Sequence, residues 1–306
     1  MGGVLNGSVV DHLASQGALT YDPRHALLYA VNAGSDSLSV FSANENQLRL
    51  RQVLDSGGTF PVSVAVHDDL VYVLNAKDGG SVSGYRVADG RLHRIKRSTR
   101  SLGLAIPSDN TQFTHTPGQV AFSPDGSQLI VTTKANGNDI SVFEVGPDGR
   151  LSDSPTVNPE PGTVPFAVTF DSADHLVVAE AGTNALATFT LNPNGSVTLI
   201  DEVGTAQAAT CWVAPAGQFF YAGNAGSASV SGYKVADNGQ LTLLGATSTH
   251  PGTVDASASA DGRFLYVQTG NNGIVDEFQV NDNGSLTGLG SVTVAGAGGG
   301  EGIVAF

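Results

Sequence analysis

The chain has 306 residues, 28 acidic against 14 basic side chains, a net charge of −14 and one cysteine. That balance excludes binding to nucleic acid or to an anionic membrane, because nothing here neutralises a run of phosphates, and the lone Cys211 excludes an internal disulfide. The sequence has no apolar run long enough to span a bilayer and no secretory leader at Met1, so the expectation is a soluble protein, cytoplasmic or secreted with its leader removed.

Taken in order, Gly3–Leu5, an Asn6-Gly7 turn and Ser8–Leu13 predict a short hairpin. Six repeats follow, each ending its second predicted strand with a recognisable signature: Asn32, Asn75, Lys134, Glu180, Asn224 and Thr269. The turn before that strand recurs as Asp22-Pro23-Arg24, Pro124-Asp125-Gly126 and Ala260-Asp261-Gly262. The turn two strands later recurs as Ala88-Asp89-Gly90, Pro147-Asp148-Gly149, Asp237-Asn238-Gly239 and Asp282-Asn283-Gly284. Gly and Asn supply the positive φ that such turns need. The clearest unit is Thr116 to Leu151, in which Ile140–Val145 alternates apolar and polar as a half-buried strand does.

Four short strands repeated at about 45 residues define a propeller blade. The blades fall at roughly 17–58, 59–104, 116–162, 163–206, 207–252 and 253–300. The final Glu301-Gly302-Ile303-Val304-Ala305-Phe306 matches Pro117-Gly118-Gln119-Val120-Ala121-Phe122, an innermost strand. The expected fold is therefore all-β: a β-propeller of four-stranded antiparallel blades, one domain over residues 1–306, seven-bladed with a reduced closing blade shared by the N- and C-termini. A six-bladed ring is the alternative. One spacing is long, and it places an insertion at Ser101–His115. Topology puts that loop on the top face, beside the ends of the second strands, where a packed lid over the mouth is expected.

The top ends of the innermost strands ring the channel: Gly17, Val62, Gly118, Phe166, Cys211, Asp255 and Gly302, with Glu301 one step outward. Around them Asn32, Asn75 and Asn224 read as a structural default, their side chains bonding to nearby loop backbone. Lys134 and Glu180 break that default in adjacent blades and offer a charge pair at a concave mouth, suited to polarising a carbonyl or moving a proton. An inter-blade ion pair is the structural alternative. His115 is a candidate base, and His250 lies in a comparable loop. Cys211 reads as an inert buried thiol and Trp212 as packing or a stacking wall. A ligand at the mouth would meet Asn32, Asn75, Phe166, Cys211, Trp212, Asn224 and Asp255. Neither a metal site nor a cofactor is expected: no metal-ligand spacing and no phosphate-binding glycine loop occurs. The cations between Arg86 and Arg100 read as guards of an outer strand edge.

LLYAVNAGSDSLSVF, VAFSPDGSQLIVTTKANGNDISVFEVGPDGRL and GYKVADNGQLTLLG resemble the lactonase family of seven-bladed β-propellers, which includes 6-phosphogluconolactonase-like proteins and the carboxymuconate-lactonising enzymes of fungi. The resemblance runs from about Gln16 to Phe306. It implies a lactone hydrolase or lactonising isomerase without cofactor, acting as a monomer on a small lactone at the top-face mouth. It places a family glutamate on or beside Glu180. A family histidine falls on Gly118, three residues after His115, and a family arginine falls on Phe166. His115 as base, Lys134 as carboxylate or oxyanion anchor and Glu180 as acid or orienting group are the roles it implies. A non-catalytic propeller that binds a ligand or protein partner on its top face is the other expectation.

Overall fold

The computed structural model describes residues 3–44 and 47–306. Among them the strands form six antiparallel sheets, five of them meanders of four strands in sequence order and one, blade two, with a fifth short strand. The blades are Leu19–Asp55, Pro61–Ser101, Val120–Pro159, Pro165–Gly204, Thr210–Ser248 and Thr253–Thr293. Blade two has a split outer edge: Arg91–Arg94 and Arg100–Ser101 both pair with its third strand. The predicted turns fall where expected. Gly126, at φ 71°, closes the turn after the first strand of blade three, and Asp125 takes the Ser127 N–H at 3.0 Å. No helix among the described residues is long and apolar enough to cross a membrane.

Alternation within each blade gives two apolar faces, and the faces of neighbouring blades interdigitate. Leu129, Val131 and Phe143 of blade three pack against Val62, Tyr72 and Val82 of blade two. Phe166 and Leu186 of blade four pack against Trp212 and Phe220 of blade five. Buried hydroxyls tie these layers together: Tyr72 donates to the Gly149 carbonyl at 2.7 Å, Thr188 to Gly239 at 2.6 Å and Tyr221 to Gly284 at 2.9 Å. The repeated Asp/Asn-Gly turn is thus an acceptor for the preceding blade as well as a reversal.

The expected seventh blade is not formed, and the alternative six-blade count describes the paired strands. Ile303–Phe306 lies between the first strands of blades six and one without ladder pairing. Ala305 N–H donates to Ser257 Oγ at 3.0 Å, and the Phe306 ring stacks on Tyr21 at 4.0 Å. The N-terminal residues do turn at Asn6-Gly7, with Leu5 N–H donating to the His12 carbonyl at 2.8 Å, but they add no strand to that segment. Instead they cross the top of the ring. Leu5 packs with Phe60 and Val62 of blade two. His12 N–H donates to Gly299 O, and Gln16 N–H donates to Gly118 O of blade three. Trp212 Nε1 of blade five donates to Ser15 O at 2.6 Å. The physical reason is partner supply: a single short strand offers little area on either side, whereas the top of the ring offers buried acceptors from several blades at once.

Candidate functional site

The central channel is a cavity of about 410 Å³ walled by the innermost strands, among them Leu19–Tyr21, Val64–Val66 and Val168–Phe170. Gln16 lies across its top end. The Gln16 side chain is locked there by two bonds to the Val213 backbone, donating at 2.8 Å and accepting at 2.9 Å. The mouth is therefore occupied by the chain's own N-terminal segment.

Lys134 lies beneath that segment, almost fully buried. Its ammonium donates to Ala14 O at 2.7 Å, Phe113 O at 2.7 Å and Thr116 Oγ1 at 3.2 Å. It also faces the Phe166 ring at 5.3 Å, a cation–π contact. Burial lowers its pKa to about 7, while the charges of Asp11, Cys211 and Glu301 pull it back up. The residue sits at φ 52°, a left-handed conformation that costs a non-glycine residue roughly 1–2 kcal/mol.

Glu180 ends the equivalent strand of blade four but has other neighbours. It is buried, Thr183 Oγ1 donates to its Oε2 at 3.1 Å, and burial with Glu202 and Glu160 nearby raises its pKa to about 8. Among the described residues no ion pair joins Lys134 to Glu180, so the structure does not bring the two together. His115 closes the short helix Gln112–His115, with Nδ1 2.7 Å from Thr114 Oγ1 and 3.2 Å from Thr111 O. The insertion carrying it meets the N-terminal segment: Phe113 N–H donates to Asn6 O, and Asn136 donates to His115 O. Insertion and N-terminus together cover the mouth.

The other mouth residues divide by burial. Asn75 and Asn224 are fully enclosed. Asn224 donates to Ser229 and Ser231 and accepts from Thr210, so its bonds run to strand hydroxyls and not to loop backbone as expected. Asn32 donates to Ser37 and Ser39 in the same way but remains part exposed. Phe166 packs on Trp212 with ring centres 5.0 Å apart. Cys211 is buried and its thiol is pushed up to about 12, mainly by burial, which leaves it inert as a nucleophile. Burial raises Asp255 to about 7. His250 pairs with Asp276, Nδ1 to Oδ1 2.6 Å, a contact with no sequence signature. Sequence reading passed over Asp11 and Ser15 altogether. Ser15 Oγ lies 2.9 Å from Glu301 Oε1, and only the fold brings those two residues together.

These groups set the dependence of stability on pH. Glu180 and Asp255 have folded pKa values raised above 4.5 and 3.8, so the folded state holds more protons than the unfolded one between about pH 4 and 8. Their contribution is fully present below pH 4 and is lost as pH rises through about 7 and 8. Lys134, lowered from 10.5, acts oppositely above pH 7. The melting temperature should therefore fall from pH 5 to pH 8, and Glu180→Gln should flatten that fall. Equal slopes in the wild type and the variant would show that Glu180 does not drive it.

A ring of four-stranded antiparallel blades defines a β-propeller, and the sequence relationships agree. The sequence pattern of the family described as "Lactonase, 7-bladed beta-propeller" matches residues 8–300, so the chain belongs to that family. Among solved structures it is similar to a candidate 6-phosphogluconolactonase from Bacteroides fragilis, at 19% identity over 95% of this chain and 86% of that one, with a TM-score of 0.77. It is also similar to the periplasmic gluconolactonase of Pseudomonas aeruginosa, at 20% identity over 90% and 85%, TM-score 0.77. A virginiamycin B lyase from Staphylococcus aureus is more distant, at 14% identity over 88% and 82%, TM-score 0.62. No curated protein sequence matches the chain.

Proposed function

We propose that this protein opens or closes the ring of a small lactone on its top face, acting as a monomer without a cofactor. The observation that carries the reading is the concentration of perturbed groups there in a member of the lactonase family. Lys134 and Asp255 are both brought to about 7 and Glu180 to about 8, values suited to proton transfer at neutral pH. In this reading Glu180 is a protonated acid and His115, on the covering loop, the base. Lys134 anchors a carboxylate or oxyanion only when the N-terminal segment and the insertion yield the Ala14 and Phe113 carbonyls.

One observation favours a second reading, a non-catalytic propeller that binds a ligand or protein partner. The mouth is filled, and both the Lys134 ammonium and the Trp212 N–H are spent on the N-terminal segment. Lactone turnover, followed by the pH drop of acid release, separates the two when measured on the wild type, Glu180→Gln and His115→Ala. Loss of a general acid or base lowers turnover by roughly 10²–10⁴ with the fold intact. Unchanged turnover in both variants removes His115 and Glu180 from the mechanism.

A further inference from the structure

Beside the filled mouth, a cavity of about 300 Å³ opens on the top face between blade one, the N-terminal segment and the loop Gly299–Glu301. His12, Asn32, Ser35 and Glu301 supply its polar side chains. Among the described residues Glu301 is its one acidic residue, and no Lys or Arg lines it. Asn32 spends its amide N–H groups on Ser37 and Ser39, which leaves its carbonyl oxygen for a substrate hydroxyl.

Behind Glu301 lies Asp11, fully buried. Its Oδ1 accepts the Leu13 N–H at 2.8 Å, but its Oδ2 receives no hydrogen bond from any other group among the described residues. A buried carboxylate oxygen without a donor is costly, and a protonated Glu301 carboxyl is the group that supplies one. Two carboxyls in contact do not both ionise. Burial and the charges of Asp11 and Asp255 push Glu301 well up. Burial also raises Asp11, but the Lys134 charge and the N–H groups of Leu13 and Ala14 oppose this, so the shared proton belongs on Glu301. Ser15 fixes the Glu301 carboxyl, its Oγ 2.9 and 3.2 Å from the two oxygens.

Resting on the lactone-ring reading above but replacing its Glu180 acid and His115 base, we propose that this cavity is the substrate pocket, that Glu301 is its proton donor with Asp11 as positioning residue, and that it takes an uncharged, hydroxyl-bearing lactone. Water adds to the lactone carbonyl carbon as the acyl carbon–oxygen bond breaks. The bonding pair stays with the ring oxygen, which takes the Glu301 proton as it leaves Asp11, and the Lys134 ammonium beside the pair offsets the second negative charge until a proton returns. The proton lost by the water passes to His12, in the same pocket, and returns through solvent to Glu301, so lactone and water give the hydroxy acid. Phosphorylated or carboxylated lactones are disfavoured, because the local field is negative and no Lys or Arg among the described residues stands in the lining.

The test uses the full chain with glucono-δ-lactone and its 6-phosphate as substrates, and gluconolactam as a non-reacting probe. Glu301→Gln, which keeps a donor for Asp11, should cut kcat roughly 10²–10⁴-fold without lowering the melting temperature. Asp11→Asn removes the charge that raises Glu301, so the alkaline loss of activity should move to lower pH. The lactam should shift the His12 ring resonances, and the wild-type minus Glu301→Gln difference spectrum at pH 7 should show a protonated-carboxyl infrared band on top of those of Glu180 and Asp255. Retained turnover in Glu301→Gln, or faster turnover of the phosphorylated lactone, overturns the pocket assignment while leaving the lactone-ring function standing. If the wild type turns over neither lactone, that function fails, and the pocket then stands on a His12 shift with the infrared band or falls without either.

Discussion

Lys134→Ala should lower the melting temperature by about 10 °C and make the N-terminal segment sensitive to protease. The ammonium satisfies Ala14 O, Phe113 O and Thr116 Oγ1 in a buried site and balances the Asp11–Glu301 pair. Removing one member of a buried charged network costs roughly 3–5 kcal/mol, because the remaining partners stay buried and unpaired. For a protein of this size each kcal/mol moves the midpoint by about 2–4 °C. Relief of the left-handed backbone does not compensate, since alanine is disfavoured at φ 52° as lysine is. A surface ion pair would be worth only about 0–1 kcal/mol, so a shift under about 2 °C would place Lys134 outside the network.

Deleting Glu301–Phe306 should have an effect of similar size or larger. The segment is the only material between the first strands of blades six and one among the described residues, and it holds both faces of the seam. Phe306 stacks on Tyr21, Ala305 bonds Ser257, and Glu301 bonds Ser15 of the covering segment. Its loss exposes apolar blade faces and frees strand edges, which promotes aggregation. A melting temperature lower by about 10 °C or more, or aggregation on heating, is the expected outcome. An unchanged melting curve would show that the six paired blades form a self-sufficient ring.

The blades were legible because turn chemistry is local. Asp125-Gly126 and Asn283-Gly284 announce positive φ within a few residues, and Ile140–Val145 shows its burial by its own alternation. The site was less legible, because its residues act through distant partners. Nothing near Ser15 in the sequence points to Glu301, 286 positions away. Lys134 and Glu180 read in the sequence as equivalent positions, but the ladder register matches Glu180 to Thr133, and Lys134 stands one residue beyond it at the start of the short helix Lys134–Gly137. That offset is why Lys134 meets the N-terminal segment while Glu180 meets Glu160 and Glu202. Two sequence signals did exist in retrospect: an aspartate inside the small and apolar run Val9–Ala14, and a glutamate in a glycine-rich loop before an apolar segment. Acidic residues in such surroundings are seldom buried without a partner.

The most direct measurement is the initial rate of hydrolysis of glucono-δ-lactone by the wild-type protein near pH 7, corrected for the spontaneous reaction. Saturable turnover proportional to protein concentration is the predicted result. Its rate should fall as the pH is raised through the pKa of the shared carboxyl proton, because the acid that assists ring opening is then lost. No acceleration over buffer with this lactone or any other of a panel spanning ring size and charge would contradict the catalytic account and leave the top face as a binding surface.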